Sequence, residues 1–238
     1  MNMCPGLKLR PMYHSKRIML VILVTLSVHP LMGNAASLGL AQAKMAGNFS
    51  STLTSDQQRR LTGWRQFITR HRHSSVQKKL QLVNAYLNQF SYRQDRVVNG
   101  EEENWATPYE FILQNGGDCE DFAIAKYFML RALGVPEQEL QITYVYHHTL
   151  NQYHMVLLHI PPGQGAMLVL DNLTKTIQPI AKNADIEPVY GFNQHYVWVL
   201  NKTAQRKQVS GALHLARWQA LLSRMQRQPL ESQQPASG

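Results

Sequence analysis

Apolar positions recur three and four apart across residues 55–72, at Leu61, Trp64, Phe67 and Ile68, and again at Val76, Leu80, Val83, Leu87 and Phe90. That spacing draws one apolar stripe along each of two amphipathic helices. The period fails over residues 91–103, where turn formers and charges predict an extended loop. Thr107-Pro108-Tyr109-Glu110 then combines an N-cap threonine, a proline at the first helical position and a glutamate three residues after the cap, so a short helix begins there. Residues 120–133 carry Phe122, Ala123, Ala125, Tyr127, Phe128, Met129, Leu130 and Leu133, apolar nearly all round, which predicts a helix in the middle of a domain. Gly134 suits its left-handed cap and Pro136 blocks continuation.

Runs of β-branched and aromatic residues follow at 141–146, 154–160, 167–170 and 196–200, separated by turn material such as Pro161-Pro162-Gly163. Their short connections predict mainly antiparallel strands. Residues 213–227 read as a last helix and 229–238 as a polar, disordered tail. The class is α+β, with helices ahead of an antiparallel sheet, no internal repeat and no evident second domain.

The first 36 residues follow another pattern. Lys8, Arg10, Lys16 and Arg17 form a positive region without an acid, residues 18–28 are an apolar run, and Gly33-Asn34-Ala35 supplies small residues before Ala36. This predicts a signal peptide over 1–36, cut near Ala35 or Ala36. The run falls short of the roughly 20 apolar residues of a membrane span; an uncleaved N-terminal anchor is the alternative. Either way the rest of the chain is expected outside the cytoplasmic membrane, in the periplasm, as a flexible leader (37–54) and one domain (55–228).

Export changes the reading of charge and cysteine. Loss of four cations and no acid takes the formal net charge from +9 to +5. Arg59, Arg60, Arg65, Arg70, Arg72, Lys78 and Lys79 cluster on the first two predicted helices, but an exported protein rarely meets nucleic acid. They read as a solvated face, or one that docks an acidic partner. Cleavage also removes Cys4 and leaves Cys119 as the one cysteine, so no disulfide within the mature chain is expected. A mature domain of about 200 residues buries a core without such staples.

Cys119 sits in Gly116-Gly117-Asp118-Cys119-Glu120-Asp121, at the first turn of the buried helix. Helix N-terminal amides favour thiolate over thiol, whereas Asp118, Glu120 and Asp121 oppose it. A divalent cation bound to the carboxylates would relieve this conflict, and oxygen ligands favour calcium or magnesium over zinc. The plainer alternative is that the acids only complement the helix dipole. A nucleophilic cysteine needs a base and a group to orient it. His154 opens one predicted strand and Asp171 closes the next, so neighbouring strands can aim both at the helix terminus. His147 and His148 read as exposed turn residues, His159 lies near a strand end, and His195 is the fallback base. Asp171-Asn172 also suits a turn. The Cys119 amide is the first oxyanion donor; Gln114 and the Trp105 indole are candidates for the second. Trp105 either walls the site or fills the core.

The segments Trp105-Ala106-Thr107-Pro108-Tyr109-Glu110-Phe111, Gly117-Asp118-Cys119-Glu120-Asp121-Phe122-Ala123-Ile124-Ala125-Lys126-Tyr127, Tyr153-His154-Met155-Val156 and Leu170-Asp171-Asn172 resemble the bacterial transglutaminase-like cysteine proteinases over residues 59–200. The resemblance implies a papain or transglutaminase-like fold, with Cys119, His154 and Asp171 as nucleophile, base and orienter. It implies calcium near the cysteine, with Asp118 and Glu120 as matched ligands and Glu103 and Asp121 as further candidates. It also implies a periplasmic protease that cuts the N-terminal region of a large RTX-type adhesin, releasing it and loosening biofilm, under an inner-membrane receptor for cyclic di-GMP. A transglutaminase or amine acyltransferase on the same scaffold, and a non-catalytic binding module, are the alternatives.

Overall fold

The computed structural model describes residues 53–94, 104–163, 165–201, 205–211 and 215–228. The expected signal peptide, nearly all of the 37–54 leader, the 229–238 tail and Glu103 lie outside these residues.

Helix α1 (Ser55–His71) buries Leu61, Trp64 and Ile68 of the predicted stripe. Helix α2 (Val76–Leu87) starts at Ser75, whose hydroxyl accepts the Lys78 amide, and buries Leu80, Val83 and Leu87. Phe67 and Tyr86 stack between the two helices with centroids 4.5 Å apart. The basic face is smaller than expected. Arg60 donates to the carbonyls of Ile112 and Leu113, both at 2.8 Å, and Lys79 is buried.

Those carbonyls belong to α3 (Pro108–Gln114). Its start is the predicted capping box, with Glu110 N–H donating to Thr107 Oγ1 at 3.2 Å and Thr107 N–H to Glu110 Oε2 at 2.9 Å. Asn115 ends the helix in the left-handed region at φ 60°. The segment expected as a loop begins instead with a strand, β1 (Ser91–Tyr92), paired in parallel with β2 (Gly116–Gly117). Two residues are too few for any periodicity to announce them.

Helix α4 (Cys119–Ala132) is buried on nearly every side. A single 3₁₀ turn (Glu137–Glu139) leads from it into a seven-stranded antiparallel sheet. The strands are β3 (Leu140–His147), β4 (Gln152–His159), β5 (Leu168–Leu170), β6 (Gln178–Pro179), β7 (Ile186–Phe192), β8 (Tyr196–Leu200) and β9 (Arg206–Gly211), in the order β6-β5-β4-β3-β7-β8-β9. Strands β3 and β4 pair along their whole length, from Leu140 opposite His159 to His147 opposite Gln152. Strands β7 and β9 escaped the hydrophobic reading, since Pro188 and Gly191 interrupt the first and the second is a polar strand at the sheet edge. The last helix, α5 (Ala216–Met225), buries Trp218 against Phe128 and Phe192. The expected α+β architecture, helices ahead of and packed on an antiparallel sheet, is the one observed.

Candidate active site

Local backbone chemistry sets the start of α4. Gly116 has φ +130°, and a Cβ there would lie 1.8 Å from the Ser91 carbonyl oxygen. At Gly117 a Cβ would fall 2.1 Å from Asp121 Oδ2. The paired glycines therefore let β2 pass close to β1 on one side and to the Asp121 carboxylate on the other. Asp121 accepts the Ala106 amide on Oδ1 at 2.7 Å and the Asp118 amide on Oδ2 at 3.3 Å. Its oxygens thus tie the segment before α3 to the first turn of α4, which makes Asp121 a structural brace.

Cys119 is 2% exposed, and its Sγ lies 3.1 Å from Glu120 Oε2. The sequence has one other cysteine, Cys4, outside the described residues. Catalysis by Cys119 requires its thiol or thiolate form.

Helix α4 packs on β4, the strand that carries His154. His154 Nε2 is 2.8 Å from Asp171 Oδ1, with both residues buried. Asp171 directly follows β5, which pairs with β4 through Leu157 opposite Leu170. The same Oδ1 accepts the Leu173 amide at 3.0 Å. The turn role and the histidine partnership, alternatives in the sequence, coexist in one carboxylate.

The other histidines are engaged elsewhere. His195 Nδ1 lies 2.9 Å from Glu137 Oε1, beyond the far end of α4 and about 20 Å of helix from Cys119. That placement removes the fallback base. His159 meets Glu139 at 3.0 Å and His148 meets Glu187 at 3.4 Å. His147 is half-buried, with its ring 6.3 Å from that of His154. Burial first, then the neighbouring His154, hold its pKa below the ordinary value.

Trp105 stacks on Phe192 with centroids 5.5 Å apart and an interplanar angle of 6°, as a core aromatic. Gln114 is exposed at the end of α3. Lys126 was missed as a site residue by sequence reasoning. It lies seven positions after Cys119, on the same face of α4, and is 1% exposed. Its Nζ has no hydrogen-bond partner among the described residues, and Asp171 is the carboxylate whose charge acts on it. A lysine inside an otherwise apolar helical run was the available signal.

The model of one protein family, described as bacterial transglutaminase-like cysteine proteinase, matches residues 56–199. The chain belongs to that family. This cysteine proteinase resembles the solved structures of Legionella pneumophila LapG. The calcium-bound form is 38% identical, with TM-score 0.65, covering 78% of this chain and 98% of the other. The EGTA-treated form is also 38% identical, with TM-score 0.66 and coverages of 76% and 94%. No match was found among curated proteins. The fold is therefore the transglutaminase-like protease fold, and the enzyme is a cysteine protease.

The calcium-bound LapG relative raises the question of how the residues at the head of α4 would suit that ion. Asp118 and Glu120 are buried carboxylates of the hard oxygen type that calcium accepts. The described residues contain no group of three or more acidic, histidine or cysteine side chains placed to hold a metal. Asp118 and Glu120 therefore fit as part of an oxygen site that needs further ligands. Asp121, committed to two backbone amides, fits less well.

Proposed function

We propose that this cysteine proteinase is a calcium-dependent periplasmic endopeptidase that cuts the N-terminal region of a large RTX-type surface adhesin, releasing the adhesin and promoting biofilm dispersal. An inner-membrane receptor for cyclic di-GMP is the proposed inhibitor. The observation that carries the reading is the buried His154–Asp171 pair, with His154 on the strand β4 that packs against the helix Cys119 begins, in a chain 38% identical to LapG.

In this reading Cys119 is the nucleophile, His154 the base and Asp171 the orienting group. With Nε2 held by Asp171, Nδ1 is the ring nitrogen left to take the Cys119 proton. The thiolate attacks the scissile carbonyl, and the Cys119 amide at the helix terminus stabilises the oxyanion. His154 then protonates the leaving amine and later takes a proton from the water that hydrolyses the acyl-enzyme. Asp118 and Glu120 would hold the calcium, whose charge would offset the carboxylates next to the thiolate.

The test is incubation of the mature enzyme with the N-terminal fragment of an RTX adhesin from the same genome, with calcium or with EGTA, read by mass spectrometry. Two fragments cut beside small residues in calcium, and none in EGTA, are expected. A cross-linked or amine-modified product would replace hydrolysis by acyl transfer. Equal cleavage in both arms would sink the calcium dependence.

A further inference from the structure

The loop that carries Asp171 is held by a helix that the proposed mechanism does not use. Asn88, the C-cap of α2, donates through Nδ2 to the Asp171 carbonyl at 2.8 Å and to the Thr174 carbonyl at 3.2 Å. One turn earlier on the same face of α2, Asn84 is 1% exposed, and its Nδ2 meets the Lys175 carbonyl at 3.4 Å. Only an amide N–H₂ fits opposite carbonyl oxygens, because turning the side-chain oxygen inward would set acceptor against acceptor. The loop also braces itself, with Leu173 N–H donating to Asp171 Oδ1 and Thr176 N–H to Thr174 Oγ1. Asp171 is thus fixed at both ends, its carboxylate by His154 and the Leu173 amide and its main chain by Asn88.

We infer that Asn88 is a positioning residue for the protease: by clamping the 171–174 turn to α2 it sets the carboxylate that orients His154, with Asn84 as a weaker second clasp. The inference rests on the assignment of Asp171 and His154 to the catalytic triad. Its physical basis is distance tolerance. A carboxylate that drifts even a fraction of an ångström from a buried imidazole loses alignment of the hydrogen bond that fixes the tautomer. Both hydrogen bonds from α2 act on backbone atoms, so they limit that drift whatever the neighbouring side chains do.

The experiment uses the wild-type enzyme, Asn88→Ala, Asn84→Ala, Asp171→Ala and Cys119→Ala, each expressed as the full-length chain and assayed with a thiol reductant present. The first readout needs no substrate: the low-field proton resonance of His154 Nε2–H, identified by its loss in Asp171→Ala. The second is kcat and KM on the adhesin fragment. Asn88→Ala is expected to broaden or shift the low-field proton and to lower kcat about tenfold with KM within about twofold. Asn84→Ala, which loses the longer bond, should change kcat by less than about threefold. A merely structural clamp would lower the thermal midpoint of Asn88→Ala while leaving both the proton resonance and kcat as in the wild type, and that result overturns the inference. If Asn88→Ala does not fold, Asn88→Ser, which keeps a shorter donor, is put to the same two measurements and the same criterion. Cys119→Ala separates the two levels of argument: it should keep the low-field proton and lose cleavage. Retained cleavage in Cys119→Ala would remove the triad reading, and absence of the low-field proton in the wild type would remove the His154–Asp171 bond and this inference together.

Discussion

Burial alone pushes the Asp171 carboxyl upward, and its neighbours reverse that. The hydrogen bond and charge of His154, the Leu173 amide and the Lys126 charge together hold it below the ordinary carboxylate value. A depressed carboxylate stabilises the fold above its unfolded pKa and loses that contribution as the pH falls through the folded value, so the residue stays ionised at neutral pH. Removing it should damage chemistry more than binding. Asp171→Ala is expected to lower kcat by about a hundredfold or more, and Cys119→Ala to abolish turnover with an unchanged thermal midpoint. Steady-state kinetics and thermal unfolding of the two variants check both; full activity in Cys119→Ala would end its assignment. At this scale the sequence was informative where chemistry is local. An aspartate closing an apolar strand stood out, whereas the Asn88 clamp, 83 positions away in the chain, left no local mark.

Helix starts were legible because their chemistry is written within four residues, as at Thr107 to Glu110. Strands β7 and β9 were not, because one takes its place from pairing with β3 and the other from the free edge beside β8. The head of α4 depends on a contact between elements that only the Gly-Gly pair hints at. A methyl group at Gly117 would displace the Asp121 carboxylate, which lies 2.1 Å from the ideal Cβ position, and with it two buried hydrogen bonds to the Ala106 and Asp118 amides. Gly117→Ala should therefore cost about 3 kcal/mol and also reduce turnover, since Cys119 follows one residue after Asp118. Urea unfolding is the check, and a midpoint equal to that of the wild type would show that the Asp121 brace is dispensable.

Across the described domain the core is mainly apolar, with the site at one end of α4 and Glu137, paired with Arg131 and hydrogen-bonded to His195, beyond the other. Lys126 lies between them, buried and without a hydrogen-bond partner among the described residues. Burial draws its pKa from the ordinary 10.5 down to about 7, with Asp171 pulling the other way. Between those two values the unfolded chain binds more protons than the folded one, so stability rises with pH across that window. Below about pH 7 the ammonium is charged in both states and its full burial cost is present. An apolar side chain of similar length removes that cost. The net depression shows that this cost exceeds the attraction to Asp171, so Lys126→Met is expected to be more stable than the wild type by about 1 kcal/mol or more near neutrality. The gain should shrink as the pH climbs toward 10.5, where the wild-type lysine is neutral in the fold and losing its proton in the unfolded chain. Because the charge beside Asp171 would also be gone, the more stable variant should be a slower enzyme. Denaturant unfolding at about pH 6 and about pH 9, with turnover measured alongside, decides it: a variant no more stable than the wild type at the lower pH would mean that the Lys126 charge is solvated or paired, and that its burial costs the fold nothing.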